Sequence, residues 1–455
     1  MSIPLRSLHR CFQGIIPCAI ATCGRDGIPN VTFISQIQYV DETHMAISCQ
    51  FFNKTKRNLD ENPRATVEFW DPVTFDGYRM GLRFVRSEFS GPLFDTMAAR
   101  IEVIASHTGM AGVFKLRSAD VCEVLWLKKI EGFVNDGPPP VVKTEVMDGP
   151  MSELRALSLV SARINRARDL DGLLKDVLQA VDEVFRFRHS MVLLYEEKDR
   201  LLVTIASHGY GEGGEGAEVK LGEGLIGAVA EKRVPIRLSG VDAMLRYGRA
   251  VRERVQAAGG ASSLNAEIPL PGLPDAESQL ALPLVVEDRL LGVLAIESRD
   301  AHACADWHES FLSVLANQIA MGIDRLAEAA DEAEASEPCP KRGAEAGPRR
   351  QFVYYKNDDC VFVDGEYLIR NVPGKILWKL LRAHESGARE FTNRELRLDP
   401  KLGLPGHKDN LESRLILLRK RLEQKCPDVR LVPIRRGRFA LEVAGSLALE
   451  EREAG

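Results

Sequence analysis

The sequence lacks the features of a membrane, secreted or disulfide-stabilised protein. None of its apolar runs approaches the roughly 18 residues that a membrane-spanning helix needs. Its first residues, MSIPLRSLHRCFQGIIP, lack the charged start, apolar middle and small-residue cleavage site of a signal peptide. The nine cysteines are odd in number and scattered, with no CxxC pair, which favours an intracellular thiol set. We therefore expect a cytoplasmic protein without a membrane partner.

Length and composition indicate a chain of several globular domains. The 455 residues are 45% hydrophobic and 27% charged, and a chain this long exceeds what one hydrophobic core supports. Residues 135–150 are rich in Pro and Gly, and residues 328–350 contain few bulky apolar residues, so we predict linkers at both places. They separate an N-terminal unit (1–134), a middle unit (151–327) and a C-terminal unit (351–445).

Charge is unevenly distributed along the chain. The formal net charge is −5, yet residues 351–445 contain 19 Lys and Arg against 13 Asp and Glu. A basic unit at one end of an acidic protein suggests contact with a polyanion such as a nucleic acid.

A strand–turn–strand pattern opens the N-terminal unit. IPCAIATC, the glycine turn GRDG and IPNVTFIS predict two paired strands, and HMAISCQ and RATVEFW predict two more. Between the last two, the loop FFNKTKRNLDENP carries cations, a hydroxyl and an amide. Cations and directional N–H and O–H donors suit a phosphate monoester. The loop therefore predicts a phosphate-sized site, with a solvated surface loop as the alternative.

The same order of elements resembles the pyridoxamine-phosphate-oxidase-like split β-barrel family, over about residues 9–133. The resemblance implies FMN held at a dimer interface, with haem or no cofactor as alternatives. The candidates for the flavin phosphate are Lys54, Thr55, Lys56 and Asn58. The candidates for the ring and ribityl chain are Ser35, Gln36, Ser48 and Gln50. Because no proton-transfer pair accompanies them, we favour a cofactor-binding sensor over a catalytic oxidase and assign no catalytic residue.

The middle unit predicts helices at both ends of a sheet. ELRALSLVSARINRA has apolar residues at helical spacing, and Asp169 is a suitable N-cap for the next helix. The segments LGEGLIGAVAEK, ALPLVVEDRLLGVLAIES and FLSVLANQIAMGI together resemble the GAF domain. That family has an antiparallel sheet with helices behind it and a small-molecule pocket in front. The terminal helices suit parallel dimerisation, so we expect a homodimer.

The ligand of the middle unit stays open at this stage, since the fold alone does not specify it. His302, Cys304, Asp306 and His308 have side chains that suit a transition metal. We favour a polar loop that caps the last helix through Asp306, and predict no metal site.

Hairpins and helices alternate in the C-terminal unit. FVYYKNDDCVFVDGEYLIRNV turns at Asp364-Gly365, PGKILWKLLRAHESG predicts a helix, and Thr392 with Glu395 forms a capping-box pattern. HKDNLESRLILLRKRLEQKC predicts a long amphipathic helix, and LVPIRRGRFALEV a closing hairpin. This order resembles the winged helix-turn-helix of response regulators, over about residues 352–443. The expected fold class is thus multi-domain α+β: split barrel, GAF-type sensor sheet, then winged helix-turn-helix.

The winged-helix resemblance implies DNA binding through the last helix and the hairpin that follows it. Helical spacing puts Asn410, Ser413, Arg414 and Leu417 on one face, with Arg414 as the best candidate for a base edge. The candidates for phosphate contacts are Lys408, Arg419, Lys420, Arg435, Arg436 and Arg438. The alternative for these cations is a solvated helix face.

Nothing in the sequence resembles a receiver domain, a kinase core or a cyclase, so DNA or a partner protein must receive the signal. We therefore predict a one-component, ligand- or redox-responsive transcription regulator rather than an enzyme. The alternatives are a flavin-dependent oxidoreductase regulated by the middle unit, and a non-catalytic protein-interaction scaffold.

Overall fold

The structure is a computed structural model that describes most of the chain. The described residues are 3–12, 16–50, 54–131, 150–197, 199–210, 214–258, 264–265, 267, 272–304, 306–332, 348–402, 404, 411–435 and 437–452.

The N-terminal unit is a seven-stranded antiparallel sheet with strand order β2-β1-β5-β6-β7-β4-β3. Its strands are β1 (Cys18–Cys23), β2 (Pro29–Ile34), β3 (Ile37–Asp41), β4 (His44–Cys49), β5 (Arg64–Trp70), β6 (Gly77–Glu88) and β7 (Ser118–Lys129). Alternate residues of β1 and β5 are buried, as the period of two predicts. A 3₁₀ helix (Leu5–Phe12), α1 (Lys54–Glu61) and α2 (Pro92–His107) complete the unit.

The middle unit is a six-stranded antiparallel sheet with strand order β10-β9-β8-β13-β12-β11. Its strands are β8 (His189–Glu196), β9 (Leu201–His208), β10 (Glu218–Lys220), β11 (Ile236–Ser239), β12 (Ser278–Val286) and β13 (Arg289–Ser298). Its helices are α3 (Pro150–Arg166), α4 (Leu170–Phe185), α5 (Gly224–Lys232), α6 (Val241–Ala257) and α7 (Asp306–Glu332).

The two faces of this sheet belong to different cores. Leu194 and Leu294 pack with α3, α4 and α7, whereas Leu193 and Val293 face α5 and α6 on the other side. The second core also contains Ile104 and its neighbours on α2 of the N-terminal unit. The N-terminal and middle units therefore share one buried apolar cluster.

The C-terminal unit has two small sheets around three helices. The sheets have strand orders β16-β15-β14-β20 and β17-β19-β18. Its strands are β14 (Arg349–Tyr355), β15 (Cys360–Val363), β16 (Glu366–Ile369), β17 (Glu390–Thr392), β18 (Val429–Arg435), β19 (Arg438–Val443) and β20 (Ser446–Arg452). Its helices are α8 (Asn371–Glu385), α9 (Asn393–Arg397) and α10 (Leu411–Lys425).

The helix caps predicted from the sequence are present in the structure. The predicted bounds of the second linker and of the C-terminal unit differ from the observed ones. Asp169 caps α4 by accepting from the Gly172 N–H at 2.8 Å, and Thr392 and Glu395 form the capping box of α9. The predicted linker 328–350 overlaps α7, which continues to Glu332, and β14, which begins at Arg349. Strand β20 lies beyond the predicted end of the C-terminal unit because it pairs in parallel with the distant β14.

Among the described residues, no helix is both long enough and apolar enough to span a lipid bilayer.

Candidate functional sites

Lys56, a predicted phosphate ligand, lies on a helix and has partners within its own unit. The segment predicted as a loop forms α1, and the Lys56 ammonium lies 3.0 Å from Asp60 and 3.5 Å from the buried Asp120. It also donates to Ser87 at 3.0 Å and lies 4.0 Å from the centre of the Phe84 ring. Its charge is therefore already balanced inside the unit.

Two further predicted phosphate ligands fasten α1 to the sheet. Asn30 donates to the Thr55 hydroxyl at 3.0 Å, and the buried Asn58 donates to the Thr22 hydroxyl at 3.2 Å. Lys54, at the start of α1, is half-buried. Thr55 and Asn58 thus make hydrogen bonds to the sheet in this structure, and phosphate binding by the four residues stays a prediction.

The residues predicted for the flavin ring do lie together. The Ser35 hydroxyl accepts a hydrogen bond from the Gln50 amide at 2.5 Å and lies 3.1 Å from the Ser48 hydroxyl. The Gln36 backbone carbonyl accepts a hydrogen bond from the Ser48 backbone N–H at 3.1 Å. The side chains of Gln36 and Gln50 are both buried. The connection between β2 and β3 and the end of β4 therefore lie side by side and bring these polar residues together.

Ser35, Gln36 and Gln50 line a cleft between the N-terminal and middle units. Its volume is about 40 Å³. The rest of its lining is apolar or aromatic, and consists of Pro17, Phe33, Ile34, Ile101, Ile104, Phe114, Ala243, Met244 and Tyr247. Polar groups at one wall and apolar side chains around them suit the edge and face of an aromatic ring. The middle unit contributes to this wall through α6, a contribution that sequence reasoning missed.

Polar contacts also join these two units. The Gly224 backbone N–H donates to the Ser106 hydroxyl at 2.9 Å, and Arg252 donates to the Thr108 carbonyl at 2.8 Å. Lys232 and Glu102 form an ion pair at 2.7 Å. Hydrogen bonds and an ion pair therefore join the two units in addition to their shared apolar cluster.

A buried carboxylate organises the front of the middle sheet. Glu297 accepts from the Tyr210 hydroxyl at 2.9 Å, from the Leu273 N–H at 2.7 Å and from the Gln279 amide at 2.8 Å. Burial raises the pKa of the Glu297 carboxyl. The group ties the β9–β10 connection and the segment before β12 to the sheet. An acidic residue inside the apolar strand GVLAIES was the sequence signal for it.

The His302–His308 segment lies at the start of α7. Cys304 is buried, which raises the pKa of its thiol to about 12. His308 is surrounded by Phe185, Phe187 and Trp307, and burial lowers its pKa to about 4. In the described part of the chain, no three His, Cys, Asp or Glu side chains come together as metal ligands.

The α10 face that was predicted to contact DNA is covered by the middle unit. Ser413, Arg414 and Leu417 are 1%, 5% and 7% exposed. Arg414 forms an ion pair with Glu196 at the end of β8, its Nε lying 3.3 Å from one carboxylate oxygen. In this structure the predicted face is therefore not exposed to solvent, because α10 packs against acidic groups of the middle unit. DNA contact through this face stays a prediction.

Lys420, predicted to contact a phosphate, extends this contact along α10. Its ammonium lies 2.7 Å from Glu215 and donates to the Ile205 carbonyl at 2.9 Å. Next to it, Arg421 donates to the Glu215 carbonyl at 2.9 Å. These cations therefore face acidic and carbonyl groups rather than solvent.

The remaining predicted DNA contacts are divided between the described and undescribed parts. Arg419 donates to the Leu431 carbonyl at 3.1 Å, and Arg438 pairs with Glu390 at 2.7 Å, both within the C-terminal unit. Arg435 ends β18, but its side chain is outside the description. Lys408, Asn410 and Arg436 also lie outside the described residues.

A larger cleft, of about 790 Å³, separates the hairpin β18–β19 from the middle unit. One wall contains residues 167–171 and Arg325, and the other contains Pro433, Ile434 and Arg438. Further along the interface, Arg370 pairs with Glu218 at 2.6 Å. Both the helix and the hairpin predicted to contact DNA therefore face the middle unit.

Comparison with known families identifies two of the three units. Residues 7–102 match the family described as pyridoxamine 5'-phosphate oxidase, and residues 167–324 match the GAF domain. These matches confirm the two domains that the sequence motifs predicted. The chain thus contains an N-terminal domain that matches the pyridoxamine 5'-phosphate oxidase family, followed by a domain that matches the GAF family. No curated protein matches the chain.

Solved structures resemble each of these two domains. A GAF domain from an Acinetobacter phosphoenolpyruvate-protein phosphotransferase is 19% identical, covering 40% of this chain and 97% of its own, with a TM-score of 0.32. The corresponding GAF domain from Coxiella burnetii is 25% identical, covering 40% and 98%, with a TM-score of 0.31. An FMN-binding protein from Syntrophomonas wolfei is 20% identical, covering 28% and 87%, with a TM-score of 0.23.

Proposed function

We propose that the chain is a one-component transcription regulator, in which the barrel and GAF domains sense and the C-terminal unit binds DNA as a winged helix-turn-helix. The order of elements in the C-terminal unit supports this proposal. Three helices are followed directly by the hairpin β18–β19, whose turn contains Gly437. An α-helix fits the major groove, and a basic hairpin beside it can contact the backbone.

The division of α10 into two faces suits this function. Leu411, Leu415, Leu418 and Leu422 pack in the core of the C-terminal unit. Arg414 lies outside that core and pairs with Glu196 of the middle unit, so it would become available for a base edge once this contact opens. Leu417, predicted on the same face, belongs to the core of the C-terminal unit. Arg419, which donates to the Leu431 carbonyl, serves instead to position the hairpin.

DNA binding is tested by the salt dependence of affinity. Binding of the full chain to a mixed-sequence DNA duplex should weaken linearly on a logarithmic salt scale, because each phosphate contact releases a counterion. The double variant Arg435→Ala with Arg436→Ala should reduce the slope by about two. Lys356→Ala is the matched control, since Lys356 pairs with Glu451 on the opposite sheet. Absence of salt-sensitive binding in all three proteins would favour the protein-interaction scaffold.

We further propose that the barrel cleft holds the ring of a flavin-type ligand. The polar group of Ser35, Gln36 and Gln50 and the aromatic wall with Tyr247 support this. The residues predicted for the phosphate do not fit that role, because Lys56, Thr55 and Asn58 are engaged within the barrel domain. The cleft is also far smaller than a three-ring flavin, so binding requires α6 to move.

The absorbance spectrum of the purified protein tests the barrel ligand. Flavin bands that disappear on release of FMN would support the proposal, and Gln50→Ala should lower the flavin content. Gln38→Ala is the control, because Gln38 on β3 accepts from Arg100 instead of lining the cleft. A Soret band would assign the barrel to haem, and a colourless folded protein would make it a dimerisation domain. Turnover of a pyridine nucleotide would favour the oxidoreductase alternative.

We propose that the regulator is a homodimer joined through its GAF helices. Large apolar side chains are exposed on α3 and α7, namely Leu154, Leu159, Val314 and Met321. Such a surface on paired helices suits a second copy, and a two-fold dimer matches a palindromic operator. Sedimentation of the wild type and of Met321→Glu tests this: the substitution should produce monomers.

A further inference from the structure

We infer that the GAF domain acts as an autoinhibitory partner of α10, occupying the helix face that would otherwise bind DNA. The inference rests on the proposed function, since it concerns the same DNA-binding surface. It adds that the structure shows the closed form of the regulator, and that release of α10 from Glu196 and Glu215 is the activating step.

The contact covers the proposed DNA-binding face itself. Arg414 pairs with Glu196, and Lys420 approaches Glu215 at 2.7 Å. A phosphate or base edge would have to displace these carboxylates and the packed GAF surface to take over the same donors. DNA and the GAF domain therefore compete for one surface, and binding of one excludes the other.

The chemistry of the GAF surface imitates that of a DNA partner. A carboxylate presents two acceptor oxygens to a guanidinium, as a phosphate or a guanine edge does. Glu196 and Glu215 provide those acceptors, and the Ile205 carbonyl provides a third for Lys420. The acidic GAF domain thus neutralises the cations that DNA would neutralise.

Apolar contacts accompany these ion pairs. Ile416 of α10 is buried in the same core as α3, α4 and α7, while Val203 of β9 packs against the core of the C-terminal unit. The interface is mixed in polarity, which is typical of domain contacts within a chain that open and close. Breaking the two ion pairs removes a carboxylate from each buried cation, which weakens the contact that holds the closed form. Lys420 then keeps the Ile205 carbonyl at 2.9 Å and Asp171 at 3.8 Å.

The position of Glu215 connects the contact to the sensor side of the GAF domain. Glu215 belongs to the β9–β10 connection, which also contains Tyr210, the hydrogen-bond partner of the buried Glu297. A ligand bound beside Tyr210 would therefore act on the same connection that carries the partner of Lys420. Such a ligand opens the regulator only if it binds the open form more tightly than the closed form.

The experiment compares the full-length wild type with the double variant Glu196→Gln and Glu215→Gln. The variant should bind a mixed-sequence DNA duplex roughly 5- to 150-fold more tightly, the range of common coupling energies. Small-angle scattering without DNA should show a larger radius of gyration, because the C-terminal unit is released. The control is Asp275→Asn with Glu183→Gln, which removes two carboxylates that pair with Arg299 and Arg163 inside the GAF domain.

The outcomes separate failure of the inference from failure of the proposed function. An expanded variant with unchanged, measurable DNA affinity would overturn the inference and leave DNA binding intact. An expanded variant that binds no DNA, like the wild type, would overturn the proposed function itself. A variant that stays compact with unchanged affinity would show that these ion pairs do not hold the closed form, which also overturns the inference.

Discussion

Ser106 of the barrel domain accepts a hydrogen bond from the backbone N–H of Gly224, the first residue of α5 in the GAF domain, at 2.9 Å. The first N–H groups of a helix have no partner within the helix, and the side chain of Glu223 at the N-cap makes no capping bond. Gly224 has φ +62°, and a Cβ there would lie 3.1 Å from the His107 ring. The barrel domain thus completes a helix of its neighbour.

Loss of the Ser106 hydroxyl should weaken both domains together. Ser106→Ala leaves a buried N–H without its acceptor and should lower the free energy of unfolding by about 1–2 kcal/mol. Calorimetry should show lower transition temperatures for the barrel and GAF domains. Ser313→Ala is the control, because Ser313 donates only to the Glu309 carbonyl of its own helix. A transition temperature equal to that of the wild type would contradict an energetic role for the contact.

Gly248 is required for the close approach of α6 to the barrel domain. Alanine at a helix interior normally stabilises by about 1 kcal/mol, but a Cβ here would lie 2.8 Å from the Thr108 Cγ2. Thr108 is fully buried and donates to the Ile104 carbonyl, so it cannot turn away. Gly248→Ala should therefore destabilise by about 1–2 kcal/mol, as overpacked sites do.

A double-mutant cycle identifies the source of that cost. Thr108→Ser removes the Cγ2 and keeps the hydroxyl, so it should restore stability to the Gly248→Ala protein in thermal unfolding. Additive effects of the two substitutions would show that the steric contact does not determine the stability.

We expect Lys56 to stabilise the barrel domain through its ion pair with Asp120. Lys56→Met leaves the buried Asp120 without its cation and should lower the stability of the barrel domain by about 3 kcal/mol, measured in denaturant. Lys54→Met, two residues earlier, should change stability by less than about 0.5 kcal/mol, the usual range for surface substitutions. If the Lys56 and Lys54 variants were equally stable, Lys56 would not have a structural role, and its predicted role as a phosphate ligand would be favoured.

His308 should make the GAF domain less stable in acid. Burial, assisted by the nearby Arg237, lowers the pKa of His308 from 6.5 to about 4. The unfolded chain binds the proton below about pH 6.5 and the folded chain does not, so stability present above that pH is lost as the pH falls toward 4. The loss should be about 2 kcal/mol at about pH 5 and about 3 kcal/mol at about pH 4.

Substitution of His308 tests this linkage. In thermal unfolding at about pH 7 and about pH 5, His308→Phe should keep the ring contacts and lose most of the acid sensitivity. Trp307→Phe alters the same aromatic cluster but retains the imidazole, so its acid sensitivity should persist. An unchanged pH dependence in His308→Phe would assign the effect to other groups.

Short-range signals in the sequence predicted their elements well. The capping box of Thr392 and Glu395, the cap at Asp169 and the turn at Asp364-Gly365 all depend on residues within a few positions of each other. The barrel and GAF domains were predicted from the resemblance of longer series of motifs to known families, and the family matches confirm them. Ser35, Ser48 and Gln50, which the family resemblance suggested as ring contacts, lie together in the structure, while their role in ligand binding stays a prediction.

The roles of individual cations were not predictable in this way. Lys56 meets Asp120 and Arg414 meets Glu196, pairs that are distant in the sequence. A basic residue on a helix has the same pattern whether it faces solvent, DNA or another domain. Its partner depends on how the domains pack, which involves surfaces from separate parts of the chain.

The sequence by itself determined the two sensor domains, the order of elements in the C-terminal unit and the apolar face of α10. The elements follow from hydrophobic period, turn chemistry and capping, which act over short distances, and the two domains from the resemblance of their motifs to known families. Only the tertiary structure decided that α6 closes the barrel cleft and that α10 lies against Glu196 and Glu215. Those arrangements depend on complementary charge and shape between domains, and no local pattern in the chain encodes which two surfaces will meet.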